Sequence, residues 1–178
     1  PRGRSTLLTM KSSRSSTPVP SAKGTKLDHT LNPRMQGSES TNIATPATTE
    51  SEIAALKREG ANLLVVDYPQ PRWFYELCDK IGMYIIEQAS INPTEGGDNR
   101  AVGGTPSNNP QLVEHYLERV KSMYYRTRNH ASIIAYSLGS KSAGNGYCMY
   151  KAYQWLKSVE KQRPVICYSA DGEWNTDM

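Results

Sequence analysis

Short apolar runs that alternate with helix-length amphipathic segments constrain this chain more than any other feature. Asn62-Leu63-Leu64-Val65-Val66-Asp67, Met83-Tyr84-Ile85-Ile86-Glu87-Gln88, Ile133-Ile134-Ala135-Tyr136-Ser137 and Pro164-Val165-Ile166-Cys167-Tyr168 each have the length of a buried strand. Between the first two, Phe74, Leu77, Cys78 and Ile81 fall at i, i+3, i+4 and i+7, with Pro71 ahead and Gly82 behind. After Pro110 the stripe reads Val113, Tyr116, Leu117, Val120 and Tyr124, and Met149, Tyr153, Leu156 and Val159 mark a further helix over 147–162. Upstream, Thr49-Glu50-Ser51-Glu52 has the capping-box form, so a helix is predicted from Thr49 through Ile53 and Leu56 to Gly60. A short strand is expected near Gly24–Leu27. Strand–helix alternation with helix-length connections calls for a parallel sheet with right-handed crossovers. Four or five strands are too few for a closed (β/α)8 barrel, which takes about 250 residues. The expected class is therefore α/β, either part of a barrel or a small open sheet.

In such folds chemistry sits where strands end. The stretch from Tyr125 to Gly146 is the one to watch. Arg126, Arg128, Asn129 and His130 lead into the strand at 133, which breaks at the polar turn Ser137-Leu138-Gly139-Ser140-Lys141-Ser142. Ser140 and Lys141 thus occupy a strand end. A long polar connection, 89–109, follows the strand at 83, and loops of that length in compact domains are functional or unordered.

Charge separates the chain into two parts. Residues 1–50 hold seven of the 21 Lys/Arg and three of the 17 Asp/Glu, so the net charge of +4 belongs to them and the remainder is balanced. Seventeen Ser/Thr and Pro18, Pro20, Pro33 and Pro46 crowd the same stretch. A segment of that kind cannot bury enough surface to offset its ordering entropy. We divide the chain into a Ser/Thr/Pro-rich basic segment, 1–48, mostly irregular, and an α/β part, 49–178. The basic segment has no aromatic residue to stack on bases, so a solvated tail is favoured over nucleic-acid binding. No run reaches the roughly 18 apolar residues of a membrane span, and Leu7-Leu8 is too short for a signal-peptide core. Cytoplasm and periplasm are both left open. The first residue is Pro1 rather than Met, which fits a piece of something longer. Cys78, Cys148 and Cys167 lack metal-ligand spacing and sit in apolar patterns, so buried free thiols are expected.

Several strings resemble the catalytic barrel of glycoside hydrolase family two, the β-galactosidase group. They are Tyr68-Pro69-Gln70-Pro71-Arg72-Trp73-Phe74-Tyr75-Glu76-Leu77-Cys78-Asp79-Lys80-Ile81-Gly82, Arg126-Thr127-Arg128-Asn129-His130 with Ser137-Leu138-Gly139, Ala143-Gly144-Asn145-Gly146-Tyr147, and the closing Glu173-Trp174-Asn175-Thr176-Asp177-Met178. The resemblance covers about Glu50 to the end, more weakly from Gly24, and implies about the first five βα units of a TIM-type barrel. It also implies retaining hydrolysis by two carboxylates, an acid/base and a nucleophile, about 5–5.5 Å apart. The family's acid/base glutamate closes Ser-Leu-Gly-Asn-Glu; here Ser140 replaces the asparagine and Lys141 the glutamate. A lysine cannot supply a carboxylate. The nucleophile would fall on a later strand, beyond Met178. Asp67 stands where the family has the histidine of Ser-His-Tyr-Pro. Some members bind Mg or Na through a glutamate and histidine that are Asn92 and Thr94 here, so no cofactor is expected.

Each feature also has a plainer reading. Lys141 is weighed as a new catalytic lysine but favoured as a strand-end cation pairing with Glu87 or Asp67 or facing water. His130 is favoured as a structural residue ahead of its strand. Trp73 and Trp155 fit packing positions, and Trp174 is the indole worth testing against sugars. The resemblance thus implies a β-galactosidase-like glycosidase whose present chain is inactive. The alternative is a non-catalytic scaffold that binds carbohydrate weakly through Asp67, Glu87, Asn92, Ser140 and Trp174. Open sheet edges would favour self-association.

Overall fold

The structure is a computed structural model that describes residues 25–26, 46–93, 99 and 101–178. Most of the basic segment, 1–48, and Thr94 lie outside the described residues. The elements run β1 (Thr25–Lys26), α1 (Pro46–Arg58), β2 (Leu63–Val66), α2 (Arg72–Ile81), β3 (Tyr84–Gln88), two 3-10 turns (Pro106–Asn108 and Pro110–Leu112), α3 (Val113–Thr127), β4 (Ile133–Ser137), a 3-10 turn (Lys141–Ala143), α4 (Tyr147–Val159) and β5 (Val165–Ile166). All strand pairs are parallel and the sheet order is β1-β2-β3-β4-β5. Every crossover therefore steps in the same direction. A doubly wound sheet would reverse its order; this single winding is that of a (β/α) barrel and sets the helices on one face.

Local chemistry explains the element ends. Gly82 adopts the left-handed conformation (φ 74°) that stops α2, and its N–H returns to the Cys78 carbonyl. Pro71 takes the N-cap of α2 rather than its first helical position. The start of α1 differs from the capping-box expectation. Pro46 opens the helix, three residues before Thr49, and Thr49 is buried inside it. A proline with φ preset and no N–H to satisfy suits a first turn, and here it outweighs the Thr/Glu signal. Pro110 opens a 3-10 turn that runs into α3 instead of opening α3 itself, and α4 ends at Val159, before Gln162.

The core lies between the helices and one face of the sheet. Leu64, Val66, Ile85 and Ile133 meet Phe74, Cys78, Val120, Met123, Met149 and Leu156 there. The pairing of β3 with β4 runs Ile85↔Ile133, then Ile86↔Ala135, so Ile134 is an extra residue at a bulge. That insertion lets Ile133 and Tyr136, three positions apart, both join the core, which strict alternation would forbid. Cys78, Cys148 and Cys167 are buried free thiols. The partly buried Trp73 and Trp155 pack against the cluster.

The outer edge of β5 is not bare. Val165 N–H donates to Asp177 Oδ2 at 2.9 Å, Asp177 N–H to the Val165 carbonyl at 2.8 Å, and Cys167 N–H to Thr176 Oγ1 at 3.2 Å. Asp177 Oδ1 also accepts from Tyr153 Oη at 2.6 Å, and its Oδ2 from Lys157 Nζ at 2.8 Å. The open edge expected there is thus occupied by residues of the chain itself.

The connection before α3 docks on the start of α4. Asn108 Oδ1 accepts from the Tyr147 N–H at 3.3 Å, and a Cβ on Gly146 would lie 2.6 Å from Asn108 Oδ1 and 2.7 Å from the Ser107 carbonyl oxygen. Gly146→Ala is expected to destabilise the fold by about 1–3 kcal/mol through overpacking. A shift of the urea midpoint to lower concentration, with an unchanged slope, checks this.

Candidate binding face at the strand ends

The turn after β4 is built by close approach to the segment after β3. Ser140 N–H donates to the Ile91 carbonyl at 3.1 Å, and Ser140 Oγ reaches the same oxygen at 3.3 Å and Ser142 Oγ at 2.8 Å. Gly139 is held so tightly that a Cβ there would meet the Ile91 carbonyl oxygen at 3.0 Å. Ser137 Oγ donates to the Gly139 carbonyl at 2.9 Å. The Ser140 hydroxyl is therefore engaged in joining two strand ends. Lys141 begins the 3-10 turn and is exposed, while Ala143 at its end is buried.

Glu87 is not on this face. Its carboxyl is fully buried on the helix side of β3, where Oε1 accepts from Tyr75 Oη at 2.8 Å and lies 3.5 Å from Arg126 Nη2. The expectation that Glu87 contacts a sugar or pairs with Lys141 is corrected accordingly: strand alternation turns residue 87 away from the face that holds 86 and 88. Gln88 and Asn92 do come together, Gln88 Nε2 to Asn92 Oδ1 at 3.4 Å. Asp67 follows β2 and is half-buried. His130 is structural in its contacts: Nδ1 lies 2.7 Å from Asp79 Oδ2, and its ring sits 5.2 Å from that of Tyr75.

Asn92 lines a cleft of about 430 Å³ between the ends of β2 and β3 and the beginning of α3. Tyr68, Pro106, His115, Tyr116 and Arg119 complete most of its wall. Arg119 Nη1 donates to the Ser90 carbonyl at 2.5 Å, which fixes the guanidinium at the rim. His115 and Arg119 were absent from the sequence-based site. Their i, i+4 spacing beside the buried Tyr116 was the available signal, since it sets both on one side of a helix that opens at a strand end.

A second group stands on the loop after β5. Trp174, half exposed, meets Tyr150 edge to face, with ring centroids 5.5 Å apart. Asn145 Nδ2 donates to the Trp174 carbonyl at 3.4 Å, and Asn175 Nδ2 to Asn145 Oδ1 at 2.8 Å, clamping this loop to the one after β4. The sequence-named residues therefore divide into Asn92 at the cleft, Ser140 and Lys141 on the turn, and Trp174 at the rim. Asn92 offers a neutral oxygen that accepts from Gln88, and among the described residues no group of three His, Cys, Asp or Glu side chains could hold a metal ion.

Residues 43–177 match the family described as Glycosyl hydrolases family 2, TIM barrel domain. The chain is 37% identical over 121 residues to a beta-galactosidase of Vibrio cholerae serotype O1, a match covering 67% of this chain and 11% of that protein. It is 34% identical over 129 residues to a beta-galactosidase of Enterobacter cloacae, covering 72% and 12%. The chain thus spans 11–12% of the length of these curated relatives. Among solved structures, a beta-glucuronidase of an uncultured Clostridium superposes with a TM-score of 0.58 at 17% identity, over 70% of this chain and 22% of that one. A GH2 beta-galacturonidase of Eisenbergiella tayi, bound to galacturonate, gives 0.52 at 21% identity, over 70% and 22%. At these identities the structures share the fold.

The buried carboxyl gives a pH test. Burial pushes Glu87 up to about 8 from an ordinary 4.5, against the partial downward pull of the Tyr75 hydroxyl and Arg126. A carboxyl raised in the folded state contributes its full stability below the unfolded value and loses it as pH climbs to the folded one. Unfolding free energy is therefore expected to fall by at least about 1 kcal/mol between roughly pH 5 and 8. Glu87→Gln is expected to flatten that slope in urea titrations at each pH. Asp79, Glu160 and Asp177 do not compete in this window. In each, burial's upward push is outweighed by hydrogen-bond donors, so their contribution is lost only at lower pH.

Proposed function

We propose, from the premise that this chain belongs to glycosyl hydrolase family 2 through its TIM-barrel domain, that it retains the family's strand-end face as a weak carbohydrate-binding surface and does not hydrolyse glycosides. One observation carries the reading. Where the resemblance puts a proton-donating glutamate, the chain has Lys141, exposed on the turn after β4. Retaining hydrolysis needs a carboxylic acid there to protonate the leaving oxygen and a second carboxylate on the other side of the scissile bond. The lysine side chain carries no carboxyl group and fills neither of these roles. Glu87 offers no replacement, because its carboxyl is sealed behind the sheet.

What remains suits binding. The cleft beside Asn92 combines apolar and aromatic walls with a few polar groups, the usual make-up of a small-molecule site. Trp174 adds an exposed indole on the same side of the sheet, on a loop clamped to the turn that carries Lys141. The relatives named beta-galactosidase make galactose the first sugar to try.

The test is hydrolysis of a chromogenic β-galactoside by the whole chain, alongside ligand-observed NMR with galactose. We expect no release of chromophore above the buffer blank, no change on Lys141→Ala, and a galactose signal that weakens on Trp174→Ala. Turnover that Lys141→Ala abolishes would overturn the assignment.

A further inference from the structure

We propose that the Asn145-Gly146 pair is a latent deamidation site, and that Asn175 is the residue that keeps it closed. In this reaction the Gly146 backbone nitrogen attacks the side-chain carbonyl carbon of Asn145. The new N–C bond closes a succinimide ring, the bond from Cγ to Nδ2 breaks, and the amide nitrogen leaves as ammonia with the proton that Gly146 gives up. Water then opens the ring at either of its carbonyls, leaving aspartate or isoaspartate. Water is the sole co-reactant.

The sequence supplies the susceptible pair. Asn145 is the one asparagine in the sequence that a glycine follows. Glycine has no Cβ to shield its nitrogen from the preceding side chain, and its backbone reaches conformations that other residues avoid. Asparagine is among the thermolabile residues, and in an unfolded chain nothing holds its amide away from the next nitrogen. Whether the pair survives therefore depends on what the fold does around it.

The fold restrains both reacting groups. Each polar atom of the Asn145 side chain is engaged by the loop after β5: Nδ2 donates to the Trp174 carbonyl at 3.4 Å, and Oδ1 accepts from Asn175 Nδ2 at 2.8 Å. The shorter bond is the stronger, so Asn175 is the main restraint on rotation of the amide. Asn175 is itself fixed. It is 3% exposed and takes φ 79°, a left-handed conformation that asparagine tolerates better than most residues with a side chain. Gly146 is buried, which keeps base away from its N–H. The space beside it is also filled, since an added Cβ would lie 2.6 Å from Asn108 Oδ1. Ring closure has to move that peptide, and isoaspartate would lengthen the backbone there by a methylene. Deamidation would also undo the clamp. Aspartate at 145 has no N–H for the Trp174 carbonyl and would set a carboxylate oxygen against it.

The experiment incubates the whole chain at mildly alkaline pH, folded and in denaturing urea, and maps its tryptic peptides by mass spectrometry. The peptide from Ser142 to Lys151 holds the pair and no other side-chain amide, so its gain in mass on conversion to an acid reports residue 145 alone. We expect conversion at least about tenfold slower in the folded chain than in urea, which corresponds to about 1.4 kcal/mol or more for opening the clamp. Asn175→Asp keeps the shape of the side chain and removes its donor. Circular dichroism should stay native in that variant while conversion rises severalfold towards the rate in urea. Equal rates in the folded and denatured chain, or no conversion in urea, would overturn the inference. A folded Asn175→Asp chain that converts as slowly as the unaltered one would overturn the role given to Asn175. Should that variant not fold, the unaltered chain in urea well below its midpoint decides. Faster conversion with native circular dichroism supports the clamp, and conversion that rises only as the chain unfolds overturns it.

Discussion

A single buried carboxyl group ties this architecture together. Glu87 sits on the central strand with no exposed surface, and a charge in that position would be intolerable without partners. Its partners come from two different helices, Tyr75 of α2 and Arg126 of α3. Tyr75 Oη in turn accepts the Gln70 N–H at 3.1 Å, just beyond β2, and its ring packs on His130 ahead of β4. Asp79 closes the circuit by holding His130 and, at 2.7 Å, the Ser132 N–H. One connected set of polar contacts thus fixes the rotation of α2 and α3 and the entry of β4 relative to β3. Burial raises the proton affinity of Glu87, and its Oε2 has no hydrogen-bond partner among the described residues, so the contacts of this knot depend on protonation.

The separation of scaffold from chemistry follows from which side of the sheet each residue faces. The polar knot and the core lie on the helix side, and the sequence strings shared with the glycosidase barrel belong largely to that side or to the strands: the run from Tyr68 to Gly82 and the Arg126–His130 segment. On the strand-end side the shared strings are interrupted at Ser140 and Lys141 and resume at Ala143 and again at Glu173. Packing and hydrogen bonding on the helix side constrain residues whatever the protein does, whereas residues at the strand ends answer to the function of the site.

Most of the fold could be read from residue spacing. Phe74, Leu77, Cys78 and Ile81 marked α2, and β4 fell on the predicted residues. Errors arose where two local signals competed. Thr49 and Glu52 suggested a helix start, but Pro46 lay one turn earlier and was already shaped for it. The site was harder to read for a different reason. Glu87 looked like a strand-end carboxylate because counting along a strand gives its end but not which face a side chain takes until the register with its neighbours is known. His115 and Arg119 were hidden within a helical stripe chosen for its apolar residues, because the cleft they share with Asn92 exists only once α3 folds over the end of β3.

The glycine at 139 has a consequence for how this site could change. Its contact with the Ile91 carbonyl, with the Ser140 amide on the same oxygen, sets the path of the chain through atoms that no side chain at 141 supplies. Position 141 is consequently a socket whose mounting is independent of what is plugged into it. A lineage could lose an acid there, or regain one, by a single codon change without repaying any cost in folding. A substitution at this turn is in that sense an inexpensive and reversible step for evolution, unlike a change to the buried ring of contacts behind it.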